Sequence, residues 1–357
     1  MFKIIDRYII RKFLGTYIFA IALLLAIVVM FDVNEKFDAF LKAPLHATIV
    51  DYFINFLPYF ANQFSPLFVF IAVIFFTTKL AGNNEIIAML SSGMSFNRLL
   101  RPYMFSALVI AAATWVLGAY IIPPANVKRI DYTNTYVKNK RVDYGSNIML
   151  MVAPGEIAYM SRYDNISKSG SRFSLESFDD DKRLTSRLTA QRITWDTLYS
   201  WRVYDYVIRD FSDNREFIRK GRSLDTVIPF EPRDFLIAKN DHEKMTTPQL
   251  EEYIRRQRGR GVANIQSFEV EYQRRYAMCA AAFILTVIGM ALSSRKVKGG
   301  LGVNIGVGLV LSFSYILFMA ITQSFAYSGL TSPLIAMWIP NIIYAVIAVV
   351  LYRRAAV

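Results

Sequence analysis

Few side chains in this sequence are spaced to make or break bonds. The only two histidines, His46 and His242, stand far apart without ligand spacing, and the single cysteine, Cys279, lies inside an apolar run. This excludes a Ser/His/Asp arrangement, a zinc-type cluster and an intrachain disulfide. The glycine-rich GGLGVNIG at Gly299–Gly306 lacks the Lys-Ser/Thr that would complete a nucleotide-phosphate loop. No catalytic residue, metal ligand or resident cofactor is expected. What remains is binding. Glu85 is the one carboxylate in AGNNEIIAMLSSGMSFNRLLRP, Ala81–Pro102. Lys36, Lys42, Arg274 and Arg275 border long apolar runs, where lysine grips phosphate as a point charge and arginine through paired hydrogen bonds. Asn62 and Gln63 lie within LPYFANQFSPLF between Pro58 and Pro66, and Asn304 and Ser312 lie in a later apolar run. Amides inside such runs face neighbouring helices or a cavity.

The elements that hold these residues follow from composition. Of 357 residues 54% are hydrophobic and 15% aromatic, clustered rather than spread. About 20 mostly apolar residues cross a bilayer. Six stretches qualify, Phe13–Phe31, Tyr52–Thr78, Tyr103–Ile122, Tyr276–Ser294, Leu301–Tyr327 and Leu334–Tyr352, and none contains Asp, Glu, Lys or Arg. Phe13–Phe31 is too long for a signal-peptide core, and FDVNEKF after it offers no cleavage site.

The formal charge is +13. Pro124–Val270 carries only +4 of it, so the basicity belongs to the membrane part and gives no reason to invoke nucleic acid. Lys3, Arg7, Arg11, Lys12, Lys79, Arg98, Arg101, Arg295, Lys296, Lys298, Arg353 and Arg354 all fall on one side of six spans. The excess of cations on cytoplasmic loops then puts both termini and the Glu85 stretch inside and the inserted segment outside. Lys36, Lys42, Arg274 and Arg275 are exceptions at outer span ends. They can meet phosphate, anchor the interface, or pair with Asp32, Glu35, Asp38 or Glu271.

The insert reads as strands. RLTAQRITWD (Arg187–Asp196), Trp201–Phe211, Met149–Ala153 and Glu156–Arg162 are short, alternating, and rich in β-branched or aromatic residues, with turn residues at Pro154-Gly155, Ser167–Gly170 and Asp179–Asp181. The fold expected is a polytopic α-helical membrane protein of six transmembrane helices with an inserted all-β jelly-roll-like domain. Its parts are a membrane half 1–122, the β-domain 123–246, a return helix 247–275 and a second membrane half 276–357. Thr247 and Pro248 open the return helix.

Within the Glu85 stretch, Asn84 can cap a short helix, Glu85 suits its first turn, and Gly93 can end it. Ile86, Met89 and Leu90 give one apolar edge, and Ser95 can cap the next helix. So short a helix needs a surface to dock on. It either lies against the headgroups as a connector or enters a groove on a cytoplasmic partner.

Six pieces of the sequence, in order, resemble the LptF/LptG permeases of the lipopolysaccharide exporter. They are IDRYIIRKFL (Ile5–Leu14), NEIIAMLSSGMS (Asn84–Ser95), LTAQRITWD with YSWRVYDYVIRDF, MTTPQLEEYI, VEYQRRYAM and MWIPNIIY (Met337–Tyr344). One departure is Cys279, where the family usually has proline. The resemblance implies a bacterial inner-membrane permease subunit, itself non-catalytic. It would pair with a paralogous permease as a heterodimer, bind two copies of a cytoplasmic ABC ATPase that holds the ATP, and extract lipopolysaccharide from the outer leaflet. A periplasmic jelly-roll would pass the lipid to a bridge protein of similar domains. Glu85, Ile86, Met89, Leu90 and Gly93 would then form the coupling helix. Lys36, Lys42, Arg274 and Arg275 become candidates for lipopolysaccharide phosphate. Asn62, Gln63, Asn304 and Ser312 become cavity or gate candidates, since spans one and five form the family's gates. The motifs are shared by F-like and G-like partners. A subunit that transmits ATPase strokes without passing cargo is the alternative.

Overall fold

A computed structural model describes residues 4–137, 144–164, 166–212, 215–232, 241–258, 265–294 and 300–356. The chain divides into two compact units: Met1–Lys138 with Glu243–Thr247 and Glu269–Val357, and Asn139–His242 with Pro248–Phe268.

The first unit is helical. Its elements before the insert are α1 (Ile4–Glu35), α2 (Phe37–Lys42), α3 (Leu45–Ala47), α4 (Ile54–Gln63), α5 (Ser65–Gly82), α6 (Glu85–Ser91), α7 (Phe96–Val116) and α8 (Ile122–Tyr132). After the insert come α9 (Thr247–Gln257), which belongs to the second unit from Pro248 on, then α10 (Ile265–Ser293), which belongs to the first from Glu269 on, α11 (Gly300–Tyr327) and α12 (Pro333–Ala356). Among the described residues six helices are long and apolar enough to cross a membrane.

The spans differ from the sequence reading in extent. The second breaks at Phe64, and Ser65-Pro66 restarts the chain as α5, because proline needs no hydrogen-bond acceptor in a first turn. The third runs unbroken from Phe96 to Val137. Pro123 and Pro124, assigned above to the start of the β-domain, instead occupy the first turn of α8, and Ile122–Val137 is helical. Backbone of the π type at Thr48–Phe53, Leu117–Ile121 and Thr133–Val137 joins these pieces.

Polar side chains tie the apolar helices to one another. Tyr315 donates to Asn341 at 2.9 Å, Asn341 donates to the Ala277 carbonyl at 2.9 Å, and Trp338 donates to Gln273 at 3.3 Å. Such bonds hold spans together where lipid removes the hydrophobic drive. In α11, Gly308 allows close approach of α5, since a Cβ there would strike Ile74. Gly302 and Gly306 face open space.

The second unit holds a six-stranded antiparallel sheet in the order β1 to β6: Tyr144–Ala153, Glu156–Asp164, Ser169–Phe178, Leu184–Thr197, Ser200–Ser212 and Arg215–Val227. The β character of the insert is thus found, with the described strands paired as a sequential meander. Ala158, Met160, Phe173, Ala190, Ile193 and Val203 share one core with Trp201, which is fully buried and donates to the Phe230 carbonyl at 3.0 Å.

Burial along the strands slips by one residue at a line crossing the sheet. Met160 and Tyr163 are both buried with Ser161 and Arg162 between them. The same doubling separates Gly170 from Phe173 and Ala190 from Ile193. Pairing register is unchanged across it: Met160 opposes Phe173 and Arg162 opposes Ser171, then Ala190 opposes Tyr206 and Arg192 opposes Tyr204. Asn147, Arg172 and Asp205, on alternate strands, take positive φ of 50°, 50° and 52° on this line. On β1, β3 and β5 the left-handed residue turns the next side chain over, and β2 and β4 carry the same slip without one, so both halves of the sheet present apolar residues to one core.

Candidate functional site

Two polar clusters mark opposite ends of the helical unit. At one end, the start of α1 meets α6, the start of α7 and the end of α12. Phe96 packs on Tyr352 with ring centroids 5.4 Å apart, and the Tyr352 hydroxyl donates to Asn97. Asp6, 3% exposed, accepts from Arg98 at 2.6 Å. Tyr8 donates to Glu85 at 3.0 Å, and Asn83 donates to the other carboxylate oxygen at 3.1 Å. Glu85 therefore stands partly exposed, held among the described residues by neutral donors.

Local signals shape α6. Gly93, at φ 86°, closes it: the Gly93 amide reaches the Leu90 carbonyl and the Met94 amide that of Met89. That is a Schellman motif, whose left-handed residue favours glycine. Ser95 caps α7 by accepting from the Arg98 amide. Asn84 does not cap α6 with its side chain. It enters the helix at φ 63°, a conformation asparagine tolerates. Ile86 is buried and Met89 half-buried against the core of the unit, so they anchor the helix. Leu90 is exposed, together with Ile87, which the sequence reading passed over. The outward edge is Ile87 and Leu90.

At the other end, Arg274 and Arg275 share one carboxylate. Arg274 pairs with Glu271 at 2.7 Å and donates to Gln63 at 2.5 Å. Arg275, 6% exposed, donates to Glu271 at 3.0 Å, to the Thr247 hydroxyl at 2.9 Å and to the Met245 carbonyl at 2.9 Å. Arg129 bonds Glu243 at 3.3 Å and stacks on Tyr59 at 4.3 Å. Of these, Tyr59, Glu243, Glu271, Arg274 and Arg275 line a small pocket together with Asn62, Asn126 and Gly118. The buried Asn62 carbonyl oxygen has no hydrogen-bond partner among the described residues. Gly118, in the π-type turn after α7, admits the Asn62 amide, which would lie 3.2 Å from any added Cβ.

The candidates thus separate. Arg275 is saturated within the fold, whereas Arg274 also borders a second, more apolar pocket with Gln63, Met319 and Gln323. Lys36 forms an ion pair with Asp32, donates to the Tyr52 hydroxyl at 2.7 Å and lies 5.2 Å from that ring's centre. Lys42 is exposed in the last turn of α2. Ser312 is buried and donates to the Gly308 carbonyl of its own helix. The Asn304 side chain lies outside the described residues. Tyr8, Asp6, Tyr59 and Glu243 were missed because their partners are remote in sequence. Among the described residues no group of three or more His, Cys, Asp or Glu could hold a metal.

A family model described as lipopolysaccharide export system permease LptF/LptG matches residues 7–354, nearly the whole length. No individually curated protein matches the chain.

Proposed function

The chain belongs to the LptF/LptG family of lipopolysaccharide export permeases, and on that premise we propose that it is the ATP-driven type of permease subunit, moving lipopolysaccharide out of the inner membrane's outer leaflet. It is a multi-pass inner-membrane protein and a transporter component of the lipopolysaccharide export system. In our reading the end carrying Glu85 and both termini lies in the cytoplasm, and the sheet lies in the periplasm, where it hands the lipid to a jelly-roll bridge protein. A paralogous permease completes a heterodimer, and two copies of a separate ABC ATPase supply the strokes. No ATP-binding residue is assigned to this chain.

One observation carries the reading. Helix α6 is anchored inward by Ile86 and Met89 and closed by Gly93, yet turns Glu85, Ile87 and Leu90 outward. An acid beside two exposed apolar residues on a braced helix suits a partner groove with a cation at its rim. Lys42 and Arg274 take the role of phosphate contacts. Lys36 braces the junction of α1 and α2, and Arg275, inside α10, ties that helix to Met245 and Thr247. Asn62 and Gln63 belong to the cavity beside Arg274.

The test is reconstitution with the paralogue and ATPase in lipopolysaccharide-loaded proteoliposomes. Glu85→Lys is expected to abolish lipopolysaccharide-stimulated hydrolysis and release while leaving the protein folded. Normal release in that variant would remove α6 from the coupling. A photo-crosslinker at Lys42 or Arg274 is expected to capture lipopolysaccharide. Hydrolysis without adducts at either position favours a subunit that only transmits force.

A further inference from the structure

We propose that a groove on the first third of α1 holds the headgroup and upper acyl chain of one anionic phospholipid, from the leaflet at the Glu85 end. Tyr8, Arg11, Lys12, Gly15, Thr16 and Phe19 recur at spacings of three and four along one face of α1, and Phe75 of α5 forms the facing wall of an open groove. The face changes character along its length. Arg11 and Lys12 come first, exposed, and neither forms an ion pair with a described carboxylate. Arg98, at the same end, has Asp6. Lys12 lies 5.6 Å from the centre of the Tyr8 ring. Beyond the basic pair the groove turns apolar. Gly15 leaves its floor open, with nothing within 4 Å of an added Cβ, and Phe19 and Phe75 remain exposed.

Charge and geometry point to a lipid rather than an acidic protein segment. The basic pair is followed, within about two helical turns or roughly 11 Å, by apolar surface inside a membrane-crossing helix. A phosphodiester meets Arg11 and Lys12 while its chain lies over Gly15 and Phe19. Basic pockets between helices at a membrane surface recognise anionic headgroups in this way. Tyr8 belongs both to the groove and to the hydrogen bond on Glu85. The inference needs only that α1 spans the membrane, and it stands apart from the reading of cargo and ATPase.

The experiment uses the full-length protein in nanodiscs of phosphatidylcholine with a minor share of phosphatidylglycerol. Lipid retained through detergent exchange is counted by native mass spectrometry. Wild type is expected to keep one phosphatidylglycerol in preference to phosphatidylcholine. Arg11→Gln with Lys12→Gln is expected to lower that retention on the order of tenfold. Gly15→Leu, which fills the floor without changing charge, is expected to lower it too. Arg353→Gln with Arg354→Gln removes the same charge at the same end and is expected to leave it unchanged. Equal loss in both arginine-containing pairs would reduce the effect to general surface attraction and overturn the site. So would retention in Gly15→Leu, absence of preference in wild type, or stoichiometric displacement of the lipid by the ATPase.

Discussion

The two polar clusters of the helical unit are built on opposite terms. Around Arg275 every strong donor meets an acceptor of the same chain: Glu271, Thr247 and the Met245 carbonyl. Around Glu85 the direct donors among the described residues are a tyrosine hydroxyl and an asparagine amide, and Ile87 and Leu90 beside it face outward. A buried charge must be neutralised by its own fold or the fold suffers. Glu85 is held in place but not paired with a described cation, as our proposed role for it requires. Charge type alone does not separate the two. Satisfaction does.

The comparison breaks most visibly at Glu271. Glu271→Ala leaves Arg274 and Arg275 without their shared carboxylate and is expected to destabilise the protein by about 3–5 kcal/mol. A thermal unfolding curve in detergent checks this, and an unchanged midpoint would mean that the arginines are not held as described. Next comes α6. Ile86→Ala removes a buried anchor and is expected to cost about 2–4 kcal/mol, whereas Ile87→Ala leaves stability within about 0.5 kcal/mol and weakens ATPase pull-down. Reversal of that pattern would reverse the inward and outward edges. Tyr8→Phe removes one partly exposed hydrogen bond, worth about 0.5 kcal/mol. It is expected to raise the basal hydrolysis of the complex without a shift in unfolding midpoint.

The smallest effect lies in the sheet. The bidentate Arg202 guanidinium holds the Asp225 carboxyl below its ordinary value, and Asp210 is lowered by the Ser186 hydroxyl and then by Arg219. A depressed carboxylate contributes stability above the unfolded-state value of about 3.9 and loses it as pH falls through the folded value. Asp225→Asn is therefore expected to flatten the acid side of an unfolding profile below about pH 4, followed by tryptophan fluorescence. Superimposable profiles would dismiss the Arg202 contact.

Local signals were legible in the sequence, and remote partnerships were not. Six spans, the Ser95 cap and the Gly93 stop follow from short-range rules, and each is found. The inward edge of α6 could not be read because Ile86/Met89 and Ile87/Leu90 are adjacent stripes of almost equal hydrophobicity on two helical turns. The pairing of Lys36 with Asp32, one of the alternatives open in the sequence, is found, but the contact with Tyr52, sixteen residues away, was not legible. Strand β6 escaped notice because its charges conceal the alternation of an edge strand, and β3 because it opens inside the Ser167–Gly170 turn signal. Of the four outer cations, sequence supplied the positions, and only packing showed that Arg275 is enclosed while Lys42 is not.

The line of left-handed residues across the sheet has an evolutionary corollary. Asn147, Arg172 and Asp205 sit on three separate strands, yet they set one common phase shift. Deleting any one of them would restore strict alternation on its strand alone and throw half of that strand's side chains onto the wrong face relative to its neighbours. Length changes on these strands are therefore tolerated only in concert, and family variation in strand length is expected to concentrate in the turns.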